Sequence, residues 1–133
     1  MDGWSMPVEM TPKFPVNTVK RLGEAENIWI ATVRKDGRPH LVPVWFVFLE
    51  DIFWVCIAPD SVKAGNIADN PAVVLALEDG SEPVICEGLA AGVDDSWPKA
   101  VVKIFYEKYD WEILSDEQYT LLEKIIPTKL LGW

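Results

Sequence analysis

Between Ile28 and Ile57 the chain runs as three apolar, β-rich stretches joined by connections too short for anything but antiparallel neighbours. The first stretch, Ile28 to Val33, is followed by Lys35-Asp36-Gly37, and Asp-Gly between two such runs is a strong hairpin signal. The second begins near Arg38 and continues to Leu49, where Glu50-Asp51 turns the chain into Ile52 to Ile57. A three-stranded meander is the expected result. The regular alternation of strand and helix that marks a parallel α/β sheet is missing.

The remainder adds strands and short helices. Asn17 to Gly23 reads as a helix, with Asn17 as its cap and Gly23 as its end. Ser61 to Asp69 reads as another, closed by Asn70-Pro71 because a residue before proline avoids the helical region. A third is capped by Ser96, carries Pro98 in its first turn and runs to about Tyr109. Its Val101, Val102, Phe105 and Tyr109 recur at helical spacing and should face the sheet. Ala72 to Leu77, Val84 to Val93 and a last segment within Tyr119 to Trp133 bring the strand count to six. These elements predict a mainly β fold with flanking helices, a small closed barrel in one domain over residues 1–133. Pro7, Pro12 and Pro15 make residues 1–15 an irregular arm.

Charge removes several function classes. Twenty-one acidic against twelve basic residues give a net charge of −9, and no basic run offers a surface for nucleic acid or anionic membrane. The longest apolar run, Leu41 to Leu49, is too short to span a bilayer. No secretory leader is evident in Met1 to Pro15. Cys56 and Cys86 lie thirty positions apart with no C-x-x-C pattern. Neither a metal site nor a redox pair is therefore expected, and two buried thiols in a reducing, cytoplasmic setting fit best.

Two features point to a ligand. Pro43 interrupts a strongly apolar strand that already contains Pro39, so this strand is either a protected edge or a wall facing a ligand. Lys63 stands in the first turn of a helix, where a positive charge opposes the helix dipole. An anion at that helix start, held by Lys63, the Ser61 hydroxyl and free backbone N–H groups, would account for the placement; so would a lysine pointing into solvent and offsetting Asp60. His40 is the only histidine and has no evident carboxylate partner. No hydrolase or nucleotide-loop motif is present, so no catalytic residue is assigned, and a bound cofactor would have to carry any chemistry. Of the seven tryptophans, Trp45 and Trp133 are the candidates for stacking on a planar ligand.

Taken in order, Ile30-Ala31-Thr32-Val33, Asp36-Gly37-Arg38-Pro39-His40, Val42-Pro43-Val44-Trp45-Phe46, Lys63-x-x-Asn66-Ile67-x-x-Asn70-Pro71 and Glu87-Gly88-Leu89-Ala90 resemble the FMN-binding split-barrel family. That family is related to pyridoxamine 5′-phosphate oxidase and to the flavin and deazaflavin oxidoreductases. The resemblance implies a six-stranded antiparallel, Greek-key-like split barrel acting as a homodimer, with FMN at the dimer interface. It implies that His40, Leu41, Val42, Pro43 and Val44 line the ring and ribityl chain, followed by Cys56, Ile57 and Ala58. Ser61 and Lys63 would hold the phosphate and Asn66 would fix the loop. Ser81 to Pro83 would come from the other subunit, and Trp133 would cover the site. The implied activity is an oxidoreductase taking hydride from NAD(P)H and passing electrons to a small molecule. A deazaflavin reductase, a non-catalytic flavin-binding or storage protein and a cofactor-free dimer are the alternatives. Lys63 is the only cation in a stretch where relatives carry several arginines, which weighs against the deazaflavin with its acidic tail.

Overall fold

A computed structural model describes residues 11–131, so Trp133 and most of the N-terminal arm lie outside the described residues. The described part is mainly β. Its strands are β1 (Ile28–Val33), β2 (Pro39–Val44), β3 (Val47–Leu49), β4 (Ile52–Ile57), β5 (Ala72–Ala76), β6 (Ile85–Gly92) and β7 (Leu121–Leu131). Three α-helices flank them: α1 (Val16–Glu24), α2 (Val62–Asp69) and α3 (Lys99–Tyr109). All strand pairs are antiparallel, in one curled sheet ordered β2-β1-β5-β6-β7-β4-β3.

The two edges of this sheet, β2 and β3, are consecutive in sequence and separated only by Trp45 and Phe46. One bent strand therefore serves both ends of a half-barrel, its first half on β1 and its second on β4. The sequence reads it as a single strand, which is why six are expected and seven observed. Physical causes for the break are visible on both sides of it. Pro43 has no N–H to give to a ladder. At Phe46 the N–H donates to the Tyr109 hydroxyl (3.0 Å), while its carbonyl accepts from Lys108 Nζ (3.1 Å). The end of α3 thus takes the backbone groups that continued pairing would have used.

Turn chemistry fixes the meander. Glu50 (φ 54°) and Asp51 (φ 61°) form the two-residue link whose left-handed backbone matches strand twist. Gly37 (φ 90°) closes the first hairpin, its N–H donating to the Arg34 carbonyl at 2.8 Å. In the interior strand β7, Pro127 is accommodated opposite Gly88, where the register shifts in a bulge. A side chain at Gly88 would meet Ile125 Cγ2 and the Ile126 carbonyl at 2.9 Å, so only glycine allows this approach.

Alternation along β4 divides the core. Phe53, Val55 and Ile57 join Ile28, Ile30, Leu75 and Ile125 inside the curl, with Leu22 of α1 and Ala64 and Ile67 of α2 packed on them. Trp54 and Cys56 face outward and are covered by Val101 and Phe105 of α3 together with Ile113 and Leu122. Two helix starts differ from the sequence reading. α1 begins after Pro15 and not at an Asn17 cap, and it continues through Gly23 to Glu24. α3 begins at Lys99 with Pro98 at the cap in place of Ser96, since the fixed φ of proline already suits a helix entry.

Candidate functional site

Extending the β3–β4 register (Val47 opposite Trp54) by two residues would set Trp45 opposite Cys56. Pairing stops before that point, and a pocket of about 380 Å³ opens beside the end of β2 and the end of β4. Its walls are Pro43, Val44 and Trp45 on one side and Cys56 and Ile57 on the other, with Asn27 and Lys63 also contributing. Trp111, Asp116 and Tyr119, from the segment between α3 and β7, complete the lining. The size falls in the range of small-molecule sites.

Lys63 is the pocket's one lysine. Burial lowers its pKa, and among the described residues no carboxylate forms an ion pair with it. Ser61, two positions before it, caps α2: its hydroxyl accepts from the Ala64 N–H (3.3 Å) and donates to the Ala58 carbonyl (2.7 Å). That hydroxyl proton is engaged within the chain, leaving the ammonium and the unpaired N–H groups of the first turn to meet an anion. Asn66 is buried and its Nδ2 donates to Thr32 Oγ1 (3.0 Å), fastening α2 to β1.

Of the residues the sequence nominates, Pro43, Val44, Trp45, Cys56, Ile57 and Lys63 come together at this pocket. His40, Leu41, Val42, Ala58, Ser61, Asn66, Ser81 and Pro83 do not line it within one chain. His40 pairs with Thr32 across the hairpin, on the inward side with Val42 and Val44, and its Nδ1 is buried without a hydrogen-bond partner among the described residues. Leu41 points outward and is 60% exposed. Ser81 lies in the exposed loop after β5, its N–H donating to Asp79 Oδ1 at 2.8 Å. The reading from sequence missed Asn27, Trp111, Asp116 and Tyr119. Asp116, poised to collect neighbouring N–H groups, was the available signal for a structured loop there.

Cys56 is no nucleophile. Its thiol donates to the Tyr119 carbonyl (3.2 Å), and burial pushes its pKa up to about 12. Cys86 is likewise pushed up to about 12, and both cysteines are free. At pH 8 the thiolate fraction is on the order of one in ten thousand. The native protein should therefore leave a thiol reagent such as DTNB unreacted, while both cysteines react in guanidinium; rapid labelling without denaturant would contradict the burial of these side chains.

A family profile described as pyridoxamine 5′-phosphate oxidase matches residues 17–128. The chain belongs to the pyridoxamine 5′-phosphate oxidase family. Solved structures carry the same fold. The heme storage protein HutZ from Vibrio cholerae superimposes with a TM-score of 0.74 at 20% identity, over 88% of this chain and 93% of that one. A conserved hypothetical protein from Mycobacterium tuberculosis gives 0.75 at 22% identity, over 97% and 89%. A protein named as an F420 reductase gives 0.72 at 23% identity, over 89% and 98%. No curated protein matches the chain. Members of the pyridoxamine 5′-phosphate oxidase family are commonly dimers, and among the described residues no helix is long and apolar enough to cross a membrane.

Proposed function

We propose that the chain is an FMN-dependent oxidoreductase with its cofactor in the pocket between β2 and β4. The observation that carries this reading is Lys63, a partly desolvated ammonium with no carboxylate partner among the described residues, at the start of a helix that opens onto a pocket with apolar walls. A desolvated cation without an ion pair among the described residues fits a phosphate. Pro43, Val44 and Ile57 fit a flat ring, and the bound flavin would supply hydride chemistry. The chain's own part is to bind and orient. Cys56 keeps its proton, and the Asp116 carboxylate is held below the usual range by the N–H groups of Tyr119, Gln118 and Trp111. Neither group is suited to shuttle a proton near neutral pH.

FMN is favoured over a deazaflavin because one cation suits one phosphate, although the structural likeness to an F420 reductase fits the deazaflavin. A cytoplasmic location accords with the free thiols. The homodimer is supported by an outward apolar row. Leu41 and Val74 both pair with Ala31, so the three side chains stand side by side on the outer face of β2, β1 and β5, with Leu41 60% and Val74 38% exposed. Apolar rows of this kind mark association surfaces. Purified protein should run at twice the 15.0 kDa chain mass, bind FMN stoichiometrically and show that flavin bleached by NADH or NADPH. Bound FMN that neither nicotinamide reduces would turn the assignment to a storage protein; no FMN binding at all would reject it.

A further inference from the structure

The segment between α3 and β7 is built around one carboxylate. Asp116 Oδ1 accepts from the N–H groups of Gln118 (2.9 Å) and Tyr119 (2.7 Å), and Oδ2 accepts from the indole Nε1 of Trp111 (3.0 Å). Both oxygens are used, so Asp116 acts as a positioning residue for two rings. Trp111 stands edge-on to Trp45 (centroids 5.9 Å, 70°), to Phe105 (5.5 Å, 84°) and to Tyr119 (5.8 Å, 83°). Trp45 is stacked on Tyr109 at 4.5 Å and 7°, which covers one face of its indole, and the residue is 42% exposed. Tyr119 is 39% exposed. Trp45, Trp111 and Tyr119 all line the same pocket as Lys63.

This arrangement holds three electron-rich rings at fixed angles with aromatic surface left over. Trp45 also borders the adjoining groove of Glu24, Glu26, Glu107, Lys108, Tyr109 and Asp110, where four carboxylates face a single lysine. That lysine is already committed: Lys108 Nζ donates to the Phe46 carbonyl and lies 4.0 Å over the Phe46 ring. The approach to the wall is therefore negative, and a protein of net charge −9 adds to that field. Electron-rich rings stack best on electron-poor or cationic ones.

The geometry points to a substrate subsite on the Trp45–Trp111–Tyr119 wall that takes a planar, electron-poor ring carrying no negative charge, a quinone-like or cationic heteroaromatic compound. The inference deepens the flavin reading, because such rings are also the electron acceptors a reduced flavin would serve. It is tested apart from that reading by binding alone. Equilibrium dialysis of menadione and of 1,4-naphthoquinone-2-sulfonate, against flavin-free Lys63→Ala protein and against FMN-saturated protein, so that no free ammonium draws the sulfonate, should show the neutral quinone bound at least tenfold more tightly than the anion. Tyr119→Ala should weaken menadione binding about tenfold, in FMN-saturated as well as flavin-free protein. Trp45→Leu, at a partly exposed position, serves as the second variant and should weaken menadione similarly. Equal binding of the two quinones, indifference of menadione to both substitutions, or stoichiometric displacement of menadione by FMN would overturn the subsite. Selective menadione binding to a chain that binds no FMN would uphold the wall and reject the flavin.

Discussion

Lys63→Ala is expected to weaken FMN binding about ten- to a hundredfold, as followed by quenching of flavin fluorescence on titration. A hydrogen bond to a charged group contributes about 1.5–3 kcal/mol, which sets that range. The same substitution should leave the fold intact or slightly firmer. A cation in the first turn of a helix opposes the dipole by about 0.3–1 kcal/mol, and burial already disfavours the charged form of Lys63. Opposite signs for ligand affinity and for stability are what separate a phosphate clamp from a structural lysine. Lys63→Arg should retain most of the affinity, and the wild-type advantage over Lys63→Ala should shrink as salt rises. An unchanged FMN dissociation constant in Lys63→Ala would remove the phosphate assignment, and lost affinity with a lowered Tm would reduce the lysine to a packing residue.

Much of this was legible in the chain before its structure, and the reasons are local. Asp36-Gly37 and Glu50-Asp51 set the hairpins by turn chemistry, and Asn70-Pro71 ended α2 where the residue before proline must leave the helix. Lys63 announced itself by standing in a poor place for a lysine. The break at Trp45-Phe46 was hidden because its cause is remote. Tyr109 and Lys108, more than sixty positions away, take the hydrogen bonds of Phe46, and no pattern near Phe46 records that. Pro43 reads in the sequence as either edge strand or ligand wall; in the structure β2 is the sheet edge and Pro43 borders the pocket. Of the aromatic wall the sequence nominates Trp45 alone, and the rest escapes for a related reason. Trp111 and Tyr119 lie more than sixty positions from Trp45, and Asp116 gathers them through bonds that only the folded loop makes.

Glu123→Gln is expected to raise stability at neutral pH and to remove most of the pH dependence between pH 5 and 7.5. Glu123 pairs with Val55 and Gly92, so its side chain points with Val55 and Ile125 into the curl of the sheet. It is 4% exposed, and its Oε1 has no hydrogen-bond partner among the described residues. Burial pushes its carboxyl up from 4.5 to about 7. The sign follows from proton counts. Between pH 4.5 and 7 the folded chain keeps a proton that the unfolded chain has released, so stability falls as pH rises through that window and levels off above it. The full penalty is on the order of 3 kcal/mol, of which about 2 kcal/mol develops between pH 5 and 7.5. Other displaced groups do not obscure the window. Asp36, Asp79 and Asp116 are held low by N–H donors and titrate below it, while Lys108, lowered to about 8 by burial, titrates above it. Glutamine keeps the shape without the charge, so unfolding free energies of the two proteins from urea titrations should be close at pH 5 and diverge by about 2 kcal/mol at pH 7.5. A difference that is the same at both pH values would show that Glu123 meets a compensating partner in the folded chain, and a Glu123→Gln protein less stable at pH 7.5 would show that its charge is needed there.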